Sequence, residues 1–249
     1  MDIEQLHFKF YEVGGKVRDE LLGLCSKDVD YVAVPDESIR KCNTTETLFK
    51  ALELYLRKEN FEIFLITPSC FTIRARFPQN YKYSGVADFV LSRKEEYYIE
   101  GTRRPVVVPG TLYDDLSRRD FTVNALARDP DTGEVIDYFG GIEDLKKKVL
   151  KTPLDPIITF DDDPLRILRG IRFCVTKGFH FSSTCMNAII GYDYSKMKVV
   201  SEERIREELY KMLKHDTPKT LEMLFGYLPS LKDYIFENTN IWLKPTTEL

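Results

Sequence analysis

The hydrophobic pattern in the first half of the chain is that of strands interleaved with a helix. Short apolar or alternating runs, bounded by polar and turn-forming residues, predict β-strands. Between them, the segment TTETLFKALELYLRKEN (44–60) repeats its apolar residues at helical spacing. The predicted strands are DVDYVAV (28–34), FEIFLI (61–66), CFTIRARF (70–77) and GVADFVL (85–91). The pattern therefore predicts a mixed α/β region up to about Phe139.

The second half carries helical patterns with recognisable ends. The segment DDDPLRILRGIRFCVTKGF (161–179) stops its helical repeat at a glycine, and SEERIREELYKMLKHDTP (201–218) opens on serine and stops at proline. We predict no strand from GGIEDLKKK (140–148) onward. The expected fold class is α+β, with a mixed sheet and helices in residues 1–139 and an all-helical region after it, divided into 140–200 and 201–249.

Composition adds bounds on location and partners. With 43% hydrophobic and 31% charged residues, the 249-residue chain is expected to be globular and to bury one or two cores. It shows no apolar run of roughly 18 residues and no secretory signal at MDIEQLHFKF, so we expect a cytoplasmic protein without a membrane partner. A net charge of −4 weighs mildly against a protein that coats nucleic acid, although a local basic patch can still bind one. The sequence leaves a protein partner open.

The segment YEVGGKVRDELLG (11–23) predicts a strand that ends at Gly14-Gly15 and runs directly into a helix. Glycines let a ligand approach the backbone closely, and a helix N-terminus presents N–H groups to an anion. Arg18 lies in the first helical turn, where the helix dipole disfavours a cation unless a bound triphosphate supplies negative charge. The alternative is a tight turn that uses glycine for packing alone.

Two aspartates follow on the next predicted strand. Asp28 and Asp30 are two residues apart, so their carboxylates project from the same face and repel each other unless a cation lies between them. Oxygen ligands at this spacing suit a hard ion such as Mg²⁺. A solvated strand edge is the alternative for this pair taken alone.

Four motifs in this order resemble those of the tRNA nucleotidyltransferase and bacterial poly(A) polymerase family, within the polymerase-β-like nucleotidyltransferases. The resemblance extends from about Tyr11 to Phe181. The motifs are GGKVRDELLG with DVDYV, then DDLSRRDFTVNALA, then GGIEDLKKKVLKTP, and then DDDPLRILRGIRF.

The resemblance implies an enzyme that adds nucleotides to an RNA 3′ end without a nucleic-acid template. The expected substrates are CTP, ATP and the 3′ end of tRNA, with C and A residues added and pyrophosphate released by a two-metal Mg²⁺ mechanism. It implies a head or palm at 1–139, a nucleotide-selecting neck at 140–200 and a short body remnant at 201–249. Asp28 and Asp30 are then the expected metal ligands, and Gly15 and Arg18 the expected triphosphate contacts.

The resemblance also implies roles for residues in the other motifs. Asp88, on a neighbouring strand, is the candidate third carboxylate, with local hydrogen bonding as the alternative. The segment DDLSRRDFTVNALA (114–127) reads as a helix, and family members use one arginine of the pair Arg118 and Arg119 at the nucleotide, of which we favour Arg119. The segment RKEEYYIEGTRRP (93–105) resembles a mobile family loop near the active site, whose arginines contact substrate or are merely solvated.

The DDDPLRILRGIRF helix predicts a polar strip. At about 100° per residue, Asp163, Arg166 and Arg169 fall along one side, opposite the apolar residues. Arg172 falls at the edge of the apolar arc; family members use an arginine there for the nucleotide, and a buried ion pair is the alternative. A carboxylate beside a guanidinium complements the donor and acceptor edges of cytosine and adenine, so Asp163 and Arg166 are expected to read the base.

Three other functions remain as alternatives. Poly(A) addition to another RNA comes second, because family members commonly have a tail that helps grip tRNA and this chain is expected to end shortly after the neck. Nucleotide transfer to a small molecule predicts a chain without the strip DPLRILR, and an RNA-binding module derived from an inactive enzyme predicts loss of a metal carboxylate. The strip and both carboxylates are present, so these two readings rank lower.

Overall fold

The computed structural model describes residues 7–24, 29–102 and 104–241. The chain separates into two compact units. The first comprises the residues up to Tyr98 together with Pro105–Leu145, and the second comprises Ile99–Arg104 together with the residues from Lys146 onward. The domain bounds expected from the sequence, at residues 139 and 200, stay predictions.

Seven of the strands in the described residues form one twisted sheet, in the order β3-β4-β5-β2-β1-β8-β9. Strands β2 and β5 are parallel, and the other neighbours in this sheet are antiparallel. Strands β6 and β7 form a separate antiparallel hairpin, and β10 and β11 a short parallel pair. The strands are β1 (Phe8–Val13), β2 (Asp30–Pro35), β3 (Glu62–Thr67), β4 (Thr72–Arg76), β5 (Val86–Leu91), β6 (Arg93–Tyr98), β7 (Pro105–Pro109), β8 (Leu126–Arg128), β9 (Val135–Asp137), β10 (Val149–Leu150) and β11 (His180–Phe181).

Helices flank the sheet in the first unit and make up most of the second. Short 3₁₀ turns lie between other elements; Thr122–Asn124, for example, lies between α4 and β8. Of the described helices, none combines the length and the apolar character needed to cross a lipid bilayer. The α-helices are α1 (Gly15–Leu21), α2 (Glu37–Arg40), α3 (Thr45–Lys58), α4 (Leu112–Ser117), α5 (Gly141–Lys147), α6 (Pro156–Asp162), α7 (Leu165–Lys177), α8 (Ser183–Ile190), α9 (Glu202–His215), α10 (Thr217–Leu221) and α11 (Pro229–Glu237).

The alternation of β2 divides the core between the two faces of the sheet. Tyr31 and Ala33 point to the face that packs against α3. Val32 points to the other face and packs with Leu116 of α4. Because side chains two residues apart in a strand share a face, Asp30 lies on the α4 face with Val32. Asp30 therefore lies on the side of the sheet opposite the α3 core.

Most of the elements predicted from the sequence are confirmed, including the mixed sheet, α3, α7 and α9. Gly178 ends α7 in the left-handed conformation, with φ of +72°, as the glycine stop signal predicted. The predicted absence of strands after residue 140 was wrong, because β10 and β11 pair with each other. Two-residue strands are too short to leave a periodic signal.

Two other local predictions were also wrong. The segment 114–127 is not one helix: α4 ends at Ser117, and the chain continues through a 3₁₀ turn into β8. The segment 93–105, predicted as a loop, contains β6 and the first residue of β7. The first four residues of β6, RKEE, are all charged, so its strand character is hidden from a search for apolar residues.

Candidate active site

The junction of β1 and α1 places a glycine corner beside charged side chains. Gly14 has φ of +72° and ψ of −131°, a conformation that suits glycine and few other residues. A Cβ atom built on Gly14 would lie 3.0 Å from Nη1 of Arg119 and 3.9 Å from Oδ2 of Asp30. The corner predicted from the sequence thus lies against both a guanidinium and a carboxylate.

Arg18 is held firmly at this corner. It is buried, and its Nη1 donates to Oδ1 of Asn124 at 2.5 Å, while its Nε donates to Oδ1 of Asp19 at 2.8 Å. Asn124 in turn donates from Nδ2 to Oδ1 of Asp120 at 2.8 Å. A Cβ on Gly15 would lie 3.6 Å from Nη2 of Arg18, so the guanidinium lies next to the first helical residue. Asn124 was not identified as a site residue, although it lies within a recognised motif.

The candidate metal carboxylates lie on adjacent strands. Asp30 and Asp88 are direct partners in the parallel register of β2 and β5, so both side chains point to the α4 face. The carboxylate of Asp88 also accepts two hydrogen bonds from Arg74, from Nε at 2.8 Å and Nη2 at 2.7 Å. Asp28, the other predicted ligand, lies outside the described residues.

The donors present suit a hard divalent cation. Asp30 and Asp88 offer only oxygen atoms, which are the ligands that Mg²⁺ prefers. Among the described residues there is no group of three or more His, Cys, Asp or Glu side chains arranged to hold a metal ion. The described part of the chain therefore brings two of the three predicted carboxylates together on one face.

Arg118 and Arg119, which follow α4, both donate hydrogen bonds to the carboxylate of Asp115. This carboxylate is fully buried. Its Oδ1 accepts from Nε and Nη2 of Arg118 at 3.1 and 2.5 Å, and its Oδ2 accepts from Nη2 of Arg119 at 3.1 Å. Burial on its own would raise the pKa of Asp115, but the two guanidinium groups outweigh burial and hold that pKa below its ordinary value.

The two arginines have different surroundings. Arg118 also lies 3.5 Å from Oε1 of Glu95 on β6, so its charge is enclosed between two carboxylates. Arg119 donates from Nη1 to the backbone carbonyl of Asn124 at 3.3 Å and faces Gly14. This placement supports the expectation that Arg119, and not Arg118, is the one of the pair that contacts a ligand at the corner.

The second unit contains the predicted arginine strip on α7. Arg166, Arg169 and Arg172 are half-buried, and the apolar residues around them are buried. Nη1 of Arg166 donates to the carbonyl oxygen of Thr159 at 3.2 Å. The helical wheel assumed that Asp163 lies on this helix, but it does not. Asp163 precedes α7 in extended conformation, with φ of −147° and ψ of 95°.

Arg172 is engaged within the second unit. Its Nε donates to Oε2 of Glu208 on α9 at 2.5 Å, and Glu208 is buried. Its guanidinium carbon also lies 4.6 Å from the ring centroid of Phe173. These contacts favour the ion-pair alternative for Arg172 and join α7 to α9.

The seven-stranded sheet and its carboxylates define the class: the fold is that of a polymerase-β-like nucleotidyltransferase. A family model described as the poly A polymerase head domain matches residues 10–151, more than half of the chain. The chain therefore belongs to that family. Nucleotidyltransferases of this family generally use divalent metal ions.

Several similar proteins are named as CCA-adding enzymes or tRNA nucleotidyltransferases. The CCA-adding enzyme of Staphylococcus saprophyticus is 34% identical over 238 residues, which cover 92% of this chain and 53% of that protein. The solved CCA-adding enzyme of Bacillus stearothermophilus in complex with CTP aligns with a TM-score of 0.71 and 25% identity, over 89% of this chain and 49% of that one.

A solved tRNA nucleotidyltransferase, complexed with a primer tRNA and an incoming ATP analogue, aligns with a TM-score of 0.66 and 27% identity, over 94% of this chain and 61% of that one. The chain spans about half the length of the curated relatives that it matches.

Proposed function

We propose that this protein is a template-independent nucleotidyltransferase that adds C and A residues to the 3′ end of tRNA from CTP and ATP, releasing pyrophosphate. The observation that carries the proposal is the register of Asp30 with Asp88, beside a glycine corner that faces Arg119. The relatives named as CCA-adding enzymes support the choice of reaction and substrate.

The proposed roles follow from the contacts. The backbone at Gly14 and Gly15 allows close approach of a triphosphate, and Arg18 and Arg119 supply positive charge to its oxygens. Asp30 and Asp28 would hold Mg²⁺, with Asp88 as the candidate third carboxylate. When bound, the metal would supply activation of the RNA 3′-hydroxyl and neutralisation of the charge on the leaving pyrophosphate.

Base selection is assigned to the start of α7. Asp163 accepts from the backbone N–H of Leu165 at 3.1 Å, and Arg166 donates from its backbone N–H to the carbonyl of Asp163 at 3.0 Å. These bonds hold the Asp163 carboxylate at the start of α7, close in sequence to Arg166, whose guanidinium is the proposed donor. Cytosine and adenine each present a ring acceptor beside an amino donor, so the pair complements both and rejects uracil and guanine. We propose that Arg169 also lies at the nucleotide, while Arg172 supports the helix.

The RNA partner would be held in part by a basic segment. Lys146, Lys147, Lys148 and Lys151 are all exposed. Lysines of this kind bind phosphates without reading sequence, and such binding weakens as salt rises. Neutralising these lysines should lower tRNA affinity and leave the choice of nucleotide unchanged.

The test uses tRNA transcripts that end before CCA, after C and after CC, with each of the four labelled nucleotides supplied separately and with Mg²⁺ present. We expect C to be added to the first two transcripts and a single A to the third. The matched variant Asp30→Asn keeps the side-chain shape and should lose transfer of every nucleotide. Equal use of UTP and GTP by the unmodified protein, or Mg²⁺-dependent transfer by a variant lacking the charges of both Asp28 and Asp30, would reject the proposal.

Poly(A) addition is the second candidate, because the matched family model describes a poly A polymerase head domain. The transcript ending in CC separates the two functions. A tRNA nucleotidyltransferase stops after one A, whereas a poly(A) polymerase continues and also extends an unrelated oligonucleotide. The cytoplasmic location predicted from the sequence stays a prediction that cell fractionation would test.

A further inference from the structure

We propose that Asp115 is a positioning residue for nucleotide binding, whose buried carboxylate fixes the guanidinium of Arg119 against the Gly14 corner. The proposal rests on the proposed function of that corner. It concerns a side chain that would not itself touch the nucleotide, and that sequence reasoning did not single out.

The division of hydrogen bonds at Asp115 is the first argument. Oδ1 accepts hydrogen bonds from Arg118 alone, and Oδ2 accepts one from Nη2 of Arg119. The carboxylate is 0% exposed, so its charge must be balanced by these two cations and not by water. A charge-assisted bond in such a site is both strong and directional. The position of Arg119 is therefore coupled to the charge state and shape of residue 115.

The contacts of Arg119 are the second argument. Two of its nitrogens have hydrogen-bond partners at fixed positions: Nη2 donates to Asp115, and Nη1 donates to the carbonyl oxygen of Asn124. Its Nε is buried without a hydrogen-bond partner in the described part of the chain. Without the bond to Asp115, the guanidinium would keep only the 3.3 Å bond to the carbonyl of Asn124 and could rotate away from the corner.

The charge balance of the surrounding cluster is the third argument. Arg93 lies 3.5 Å from Glu95, which lies 3.5 Å from Arg118, and Asp115 joins Arg118 to Arg119. These five side chains carry three positive and two negative charges. Within this set the positive charges outnumber the negative charges by one, and the member nearest the glycine corner is Arg119. Arg119 is therefore the cation of the set that an anionic ligand at the corner would meet.

Replacing Asp115 by asparagine separates geometry from charge. The amide oxygen would accept from Arg118, so its NH₂ group would face Nη2 of Arg119, donor against donor. The net positive charge near the corner rises, which alone would strengthen binding of an anion. If binding weakens instead, the loss comes from the displaced guanidinium, so the sign of the effect distinguishes position from charge.

The experiment measures the dissociation constants of CTP and ATP by displacement of a fluorescent nucleotide, using the full chain. We expect Asp115→Asn to raise both dissociation constants by on the order of tenfold, which corresponds to the loss of one charge-assisted contact. The matched control is Asp114→Asn on the same helix. Asp114 accepts from the backbone N–H and hydroxyl of Thr111, at 2.8 and 2.6 Å, and caps α4. This control should lower stability and leave nucleotide affinity within about twofold.

A double-mutant cycle with Arg119→Ala decides the mechanism. If Asp115 acts through Arg119, the double variant should bind nucleotide no more weakly than Arg119→Ala alone. Full additivity, or equal losses for Asp114→Asn and Asp115→Asn, would overturn the role. If Asp115→Asn does not fold, Asp115→Glu keeps the charge, shifts it by one methylene and enters the same cycle with the same criteria. No nucleotide binding by the unmodified protein would instead reject the proposed function, and this role with it.

Discussion

Replacing Gly14 by alanine should damage the corner in two measurable ways. With φ of +72° and ψ of −131°, the residue occupies a region where a non-glycine side chain costs about 1–3 kcal/mol. The new Cβ would also lie 3.0 Å from Nη1 of Arg119, closer than ordinary van der Waals contact. Alanine also lowers the conformational entropy of the unfolded chain, which stabilises the folded state by about 0.4–1 kcal/mol. We expect a net loss of roughly 1–2 kcal/mol in unfolding free energy.

The second effect is on nucleotide binding, because the guanidinium that must move is the proposed triphosphate contact. Arg119 is tied to Asp115 and to the carbonyl of Asn124, so moving away from the Cβ lengthens at least one of these bonds. The loss of one such contact corresponds to about tenfold in affinity, or 1.4 kcal/mol. Urea denaturation and nucleotide titration, performed on the same protein preparation, measure the two effects separately.

Gly23 serves as the matched control. Gly23 has nearly the same φ, +73°, but nothing lies within 4 Å of the position that a Cβ would take there, so Gly23→Ala reports the backbone cost without the crowding. If Gly14→Ala binds nucleotide as well as Gly23→Ala does, the crowding of Arg119 is irrelevant to binding and the reasoning fails.

Three further outcomes are expected. Glu208→Ala leaves Arg172 half-buried without its carboxylate and should reduce the unfolding free energy by roughly 3–5 kcal/mol in urea denaturation; a loss below about 1 kcal/mol would mark the pair as a solvated one. Because the pKa of Asp115 is lower in the folded than in the unfolded protein, its ionisation stabilises the fold above the unfolded pKa of about 4, and this stability is lost as pH falls through the folded value. Asp115→Asn should therefore flatten the acid side of a stability–pH curve, and an unchanged slope would contradict the assignment. Arg74→Met removes a cation from Asp88 and should lower the Mg²⁺ concentration needed for half-maximal transfer, whereas an unchanged Mg²⁺ dependence would argue against Asp88 as a ligand.

The parts of the fold that the sequence predicts are those whose residues alternate or repeat over several turns. Strand β2 and helix α3 have this property, and both are found where predicted. The break after α4 leaves no periodic signal: Phe121 is extended, with φ of −134° and ψ of 152°, between α4 and the 3₁₀ turn. The apolar residues continue through this break, so the segment reads as one helix.

The candidate site shows the same division. Strand periodicity places Asp30 on the same face of the sheet as Val32. The position of Asp88 on a neighbouring strand was expected from the family resemblance. Asn124 and Asp115 were missed because their importance lies in partners and not in spacing. Arg18 and Asn124 are 106 residues apart in the chain, and no local pattern relates them. A buried aspartate beside two arginines likewise looks like an exposed polar segment until its burial is known.

The position of Asp163 shows why the DDDPLR motif contains a proline. A residue before proline is excluded from the helical region by the proline ring, and Asp163 is extended accordingly. This ends α6 and lets the Asp163 carboxylate accept from the backbone N–H of Leu165, at the start of α7. The acid proposed to read the base is thus held by the break between two helices, while the arginine proposed to work with it is held on the rigid helix that follows. A helical wheel drawn through the whole segment does not give the direction of Asp163, because that direction depends on Pro164 and on the bond to Leu165, not on helical periodicity.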